Sequence, residues 1–163
     1  MRAAAPRRVR PSRTLKQRAV ALLARREYSR AELSKRLAPT GASRGEIDTV
    51  LDELAASGLL SDARFAAALV HQKTGGYGKR AIAHALREKG VDAGQATAAL
   101  AVLDAEDELV TAQALWERRF GQPPRDEREK ARQLRFLLAR GYSHTIAFKV
   151  LRAAGAPNEG DAS

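Results

Sequence analysis

A chain of 163 residues, 44% of them hydrophobic, has the size of one ordinary domain. It can bury roughly 70% of its unfolded surface without a metal or disulfide staple. It contains no cysteine, which excludes disulfides, thiolate metal sites and cysteine nucleophiles, and a net charge of +10 points to a polyanionic partner or an acidic protein surface.

Only 5% of the residues are aromatic, and alanine and leucine dominate the apolar set, which favours helices over sheet. No apolar run approaches the ~20 residues of a membrane span, and the basic N-terminus lacks the apolar segment of a secretory signal. A soluble, cytoplasmic protein with no membrane contact is expected. The charge is uneven: Arg2, Arg7, Arg8, Arg10, Arg13, Lys16 and Arg18 precede the first acidic residue. Residues 1–13 show no periodicity and read as a disordered basic tail. Such a tail is either a solvated extension or an arm laid along phosphates.

The first three-helix unit is expected over residues 14–60. Leu15, Ala19, Leu22 and Leu23 share one helix face. Ser29 with Glu32 has capping-box spacing and opens a helix carrying Leu33 and Leu37, which ends before Pro39 and Gly41. Ser43 with Glu46 repeats the signature before Ile47, Val50, Leu51 and Leu54, and Gly58 stops that helix.

A second unit is expected over 61–103. Ser61-Asp62 opens a helix with Phe65, Ala68 and Leu69 on one face, and Gly75-Gly76-Tyr77-Gly78 breaks it. A helix with Ile82, Ala85 and Leu86 then runs to Gly90, and Asp92 with Gln95 begins another. The third unit is expected over 104–155. A helix from about Asp107 to Phe120 carries Leu109, Ala112 and Trp116, and Gly121-Gln122-Pro123-Pro124 interrupts. Asp126 with Glu129 opens the next helix, Gly141 closes it, and Ser143 caps a last helix with Ile146, Val150 and Leu151. Residues 156–163 read as a disordered tail. With no alternating run and no hairpin turn, the fold class is all-α: tandem three-helix repeats forming an elongated, curved molecule.

The three tyrosines mark the repeat. Tyr28, Tyr77 and Tyr142 each sit where one helix ends and the next places apolar residues one turn apart. Tyr28 and Tyr142, flanked by longer side chains, are expected to be structural wedges at their bends. Tyr77 lies between glycines and is followed by Lys79 and Arg80, so its bend is expected to be the most open and a partner-binding candidate. Two arginine clusters are further candidates for DNA or partner contact: Arg25, Arg26 and Arg30 around the first tyrosine bend, and Arg128, Arg132 and Arg135 along one helix edge. For each cluster the alternative is a solvated face that keeps an alanine-rich protein soluble.

No chemistry-bearing constellation emerges. Lys73-Thr74-Gly75-Gly76-Tyr77-Gly78-Lys79-Arg80 lacks the first glycine and the final Ser or Thr of a P-loop, and no strand precedes it. His71, His84 and His144 are read as having no carboxylate or second histidine one turn on, and so no helix-borne metal pair. The acidic run Asp104, Glu106, Asp107, Glu108 complements a helix dipole. Catalytic residues, metal ligands and cofactors are therefore all expected to be absent, and the chain is expected not to be an enzyme.

Four blocks carry a resemblance. Residues 22–33 (Leu-Leu-Ala-Arg-Arg-Glu-Tyr-Ser-Arg-Ala-Glu-Leu) and 58–66 (Gly-Leu-Leu-Ser-Asp-Ala-Arg-Phe-Ala) are two of them. The others run from Gly76-Tyr77-Gly78 to Leu86-Arg87-Glu88-Lys89-Gly90-Val91 and over 135–143 (Arg-Phe-Leu-Leu-Ala-Arg-Gly-Tyr-Ser). In order and spacing, over roughly Lys16 to Ala154, they resemble the bacterial regulatory protein RecX family. Where members often carry proline and then arginine after Gly-Tyr-Gly, this chain has Lys79 and Ala81; Arg80 next door points about 100° away on a helix. The resemblance implies three tandem three-helix repeats; the motif register agrees for the first two units, and in the third the tyrosine bend falls one helix later than a perfect repeat would place it. It also implies a modulator that binds the RecA protein and its filament on single-stranded DNA and suppresses strand exchange, ATP hydrolysis and co-protease activity. Partners would then be RecA and, without sequence preference, single- or double-stranded DNA, and the protein itself a monomer. The alternative is a direct DNA-binding regulator of helix-turn-helix or winged-helix type, which residues 29–60 imitate. A wing would need a β-hairpin after residue 60, where Arg64-Phe65-Ala66-Ala67-Ala68-Leu69-Val70 reads as helix.

Overall fold

Side-chain caps start most of the helices. The computed structural model describes residues 12–155; of the segments read as tails, 1–11 and 156–163 lie outside the described residues. The chain divides into two units, Met1–Ser61 and Asp62–Ser163.

In the first unit, α1 (Leu15–Leu23), α2 (Arg30–Leu37), a 3-10 turn (Ala38–Thr40) and α3 (Arg44–Ala56) form one three-helix cluster. Ser43 and Glu46 make the full reciprocal box on α3. On α2 the Ser29 hydroxyl accepts from the Glu32 N–H, as the cap spacing predicts, and the Glu32 carboxylate accepts from Arg26. A second full box, between Thr14 and Gln17, starts α1. Ala19, Leu33, Leu51 and Leu54 are wholly buried, and Tyr28 is 4% exposed beneath the α1–α2 bend.

The second unit carries α4 (Asp62–Lys73), α5 (Lys79–Glu88), α6 (Ala93–Leu100), α7 (Ala105–Arg119), α8 (Glu127–Ala139) and α9 (His144–Gly155). Its two cores are separate. Phe65, Ala66, Ile82 and Leu86 anchor the α4–α6 core, and Ala112, Trp116, Leu137, Tyr142 and Val150 anchor the α7–α9 core. The structure is all-α, in three-helix repeats; among the described residues the only β-type contact is an isolated bridge between Thr74 and Tyr77. Where a winged helix would place its hairpin, α4 stands.

Two glycine bends join the repeats of this unit. The Gly78 N–H donates to the Arg140 carbonyl at 2.7 Å, and the Arg80 N–H donates to the Gly141 carbonyl at 3.2 Å. A Cβ on Gly78 would lie 2.5 Å from the Gly141 carbonyl, and one on Gly141 would lie 2.4 Å from the Ala81 Cβ. The third tyrosine bend, between α8 and α9, is thus the one that meets the second repeat. The α5 N-terminus has no side-chain cap of its own from Gly78. Glu108 on α7 supplies one instead, accepting the Lys79 N–H at 2.7 Å, so this acid does more than complement its own helix dipole.

Candidate functional site

The first arginine cluster is largely neutralised within its own unit. Arg26 lies flat on Tyr28, 3.6 Å from the ring centroid, and makes a two-pronged bond to Glu32 at 3.0 and 3.1 Å. That carboxylate raises the Arg26 pKa further above its ordinary value. Arg30 is held by Asp52 at 2.7 Å. Arg25 lines a cleft of about 480 Å³ with Arg13, Arg18 and Arg36, over Leu22 and Leu37. Arg36, on the next helix, was not among the residues that linear clustering picked out.

The second unit differs. Tyr77 is 40% exposed, and its ring is flanked by Lys73 at 4.7 Å and Arg140 at 5.1 Å. Arg140 also approaches the Phe136 ring at 5.4 Å, and Phe136 meets Phe120 edge-on with centroids 5.3 Å apart. Arg119 lies 5.2 Å from the Phe120 ring and 5.8 Å from that of Phe136, and Arg132 lies 5.9 Å from Phe120. Cations and rings thus alternate in one continuous strip, from Lys73 on α4 through the Tyr77 bend to Arg132 on α8. Arg140 and Arg118 donate to the Gly76 and Gly75 carbonyls at 3.3 and 3.2 Å, tying the Tyr77 turn to α8 and α7. No strip cation forms an ion pair among the described residues.

Ring contacts of this kind contribute about 0.5–1 kcal/mol each at exposed sites. Their larger effect is on position. A guanidinium stacked on a ring keeps most of its five in-plane N–H groups free for an incoming oxyanion, and is already ordered before the anion arrives.

Other predicted site residues fall on both sides of this division. Lys79 is committed internally, its Nζ donating to the Leu103 carbonyl at 3.2 Å; the Arg80 side chain is exposed beside the strip's turn. Arg128 and Arg135 are exposed on α8; among the described residues neither forms an ion pair, and of that edge only Arg132 joins a ring. Tyr28 and Tyr142, 4% and 1% exposed, are the two wedges. His84 does have a carboxylate one turn on, Glu88 at 3.2 Å, contrary to the expectation for the histidines. Among the described residues no group of three or more potential ligands could hold a metal, and no helix is long and apolar enough to cross a membrane.

At the α8 end of the strip lies a cavity of about 550 Å³, bounded by Phe120, Pro123, Arg132 and Gln133. Arg125 and Glu129 also line it and neutralise each other through a bond at 2.7 Å, with the Arg125 guanidinium holding the Glu129 carboxyl below its usual range. Gln133 is 5% exposed and satisfied: its Oε1 accepts from Trp116 Nε1 at 2.8 Å and its Nε2 donates to the Gln122 carbonyl at 3.2 Å.

The three-helix repeats have counterparts in known proteins. Residues 16–54 match the family model of the first three-helix domain of RecX, 61–100 that of the second and 106–151 that of the third. The chain belongs to the RecX family. The regulatory protein RecX of Leptothrix cholodnii is 48% identical over 93% of this chain and 96% of its own length. That of Chromobacterium violaceum is 44% identical over 90% and 94%. The crystal structure of RecX from Lactobacillus salivarius superposes with a TM-score of 0.76 at 19% identity, covering 86% of this chain and 94% of the other, and so shares the RecX fold.

Proposed function

We propose that this protein binds the RecA recombinase and its filament on single-stranded DNA and restrains it, by limiting filament growth or promoting disassembly. Strand exchange, ATP hydrolysis and co-protease activity would fall together. The observation that carries the reading is the ordered match of all three RecX domains, alongside relatives named as regulatory proteins over nearly their whole lengths. A binding role without chemistry of its own agrees with a surface whose distinctive groups are ring-stacked arginines and half-exposed rings. Contact with nucleic acid through those arginines is sequence-indifferent and secondary to contact with the recombinase.

The purified protein, added at substoichiometric ratio, is expected to slow DNA-dependent ATP hydrolysis or strand exchange by RecA and to co-sediment with filaments. Unchanged kinetics at saturating protein, with no co-sedimentation, would overturn the reading.

A further inference from the structure

We propose that the cavity at the α8 end of the strip receives one unstacked base of a single-stranded nucleic acid, whose phosphates run along Arg132, Arg119 and Arg140. The proposal rests on the nucleic-acid contact above and is independent of the recombinase.

Its chemistry is that of a base pocket. Phe120 supplies a ring wall and Pro123 a second apolar surface, while Gln133 retains one amide N–H and one acceptor lone pair beyond its two bonds. A volume of about 550 Å³ lies within the ~300–1,000 Å³ of small-molecule sites. Arg125 and Glu129 largely cancel inside; among the described residues Arg132 forms no ion pair within 4 Å, and through Phe120 it is also the end of the strip. An acidic peptide would meet the Glu129 carboxylate inside. A nucleotide divides its chemistry as the site does, with a neutral ring inward and charge outward along the arginines. A duplex base must first be unpaired and unstacked, so a single strand offers one to the pocket at lower cost.

The chain's single tryptophan reports on the pocket, since Trp116 is hydrogen-bonded to the Gln133 side chain that lines it. The full chain is titrated with oligo(dT) and with an abasic oligonucleotide of equal length and charge, following Trp116 emission and the anisotropy of a label on the strand. Oligo(dT) is expected to change Trp116 emission and to bind at least about fivefold more tightly than the abasic strand, the low end of one base stacking on an aromatic side chain. Arg132→Glu is expected to lose both effects, whereas Arg152→Glu, an exposed charge reversal on α9, keeps the emission change. An abasic strand that binds in a salt-dependent way with equal affinity and an equal emission change leaves the phosphate contact standing and overturns the pocket. Poly-glutamate reproducing the emission change would overturn it in favour of an acidic protein surface.

Discussion

Gly78 packs against the carbonyl group of Gly141, and Gly141 against Ala81, so closely that neither glycine can carry a side chain. The carbonyl group of Gly141 stands 2.5 Å from where a Gly78 Cβ would be, and Ala81 fills the space beside Gly141. Gly141 also has φ +91°, in the left-handed region, whereas Gly78 at −81° is conformationally ordinary.

Alanine substitutions separate these two constraints. Gly58→Ala, at φ +77° with nothing near its Cβ, should cost about 1 kcal/mol through backbone strain alone. Gly78→Ala should cost about 1–3 kcal/mol through collision alone. Gly141→Ala combines both and should be the most damaging of the three. Urea unfolding of the single variants gives the order; Gly58→Ala matching the other two would refute the bend-to-bend contact.

The tyrosines divide by burial. Tyr28→Ala and Tyr142→Ala should each lower stability by ~2–4 kcal/mol, as expected for a buried large side chain, whereas exposed Tyr77→Ala should cost under ~1 kcal/mol. Tyr77→Ala should still weaken filament or oligonucleotide binding, because it removes the ring on which Lys73 and Arg140 rest. Thermal melts beside binding assays decide; equal melting losses at all three positions would make Tyr77 a core wedge like the others.

Alkaline pH should single out Tyr142. Burial pushes its hydroxyl above the ordinary value near 10, with the Thr111 bond opposing and Glu108 adding to the rise. A folded-state value above the unfolded one means that this contribution is intact below about pH 10 and is lost as pH rises through the folded value. Tyr142→Phe should therefore flatten the stability loss above pH 10. It should cost little at neutral pH, since the bond to Thr111 is long at 3.5 Å. An unchanged alkaline limb in denaturant titrations would count against the assignment.

Charge reversal should act unequally. Arg132→Glu or Arg135→Glu should reduce the log-log salt slope of single-strand binding by about 0.7 per lost phosphate contact. Arg26→Glu should leave the slope unchanged, its guanidinium being held by Glu32 and Tyr28. A drop in slope for Arg26→Glu alone would reverse this ranking.

These contrasts show which physics a sequence carries. Helix periodicity and cap spacing are local, so the α3 box of Ser43 and Glu46 could be read directly, and the Thr14–Gln17 box had the same spacing available. The bond from Arg26 to Glu32 was less legible, because the position of Arg26 depends on the Tyr28 ring beneath it. Arg128, Arg132 and Arg135 were visible as a helix edge, but the ring that orders Arg132 belongs to the end of α7. The strip itself draws Lys73, Tyr77, Arg119 and Arg140 from separate elements, and no linear spacing announces it. Nor did spacing announce Glu108 as the cap of another helix.

Each of the three cores draws on one contiguous stretch of chain, 19–60, 65–100 and 112–151. Such local contacts keep contact order low and let each helical cluster form early. The Arg140-to-Gly76 bond instead spans 64 residues, and the glycine bends beside it can close only after both flanking clusters exist. That junction then contributes little to the folding barrier and much to the barrier against coming apart, so the lifetime of the joined second and third repeats is set by two residues that have no side chains.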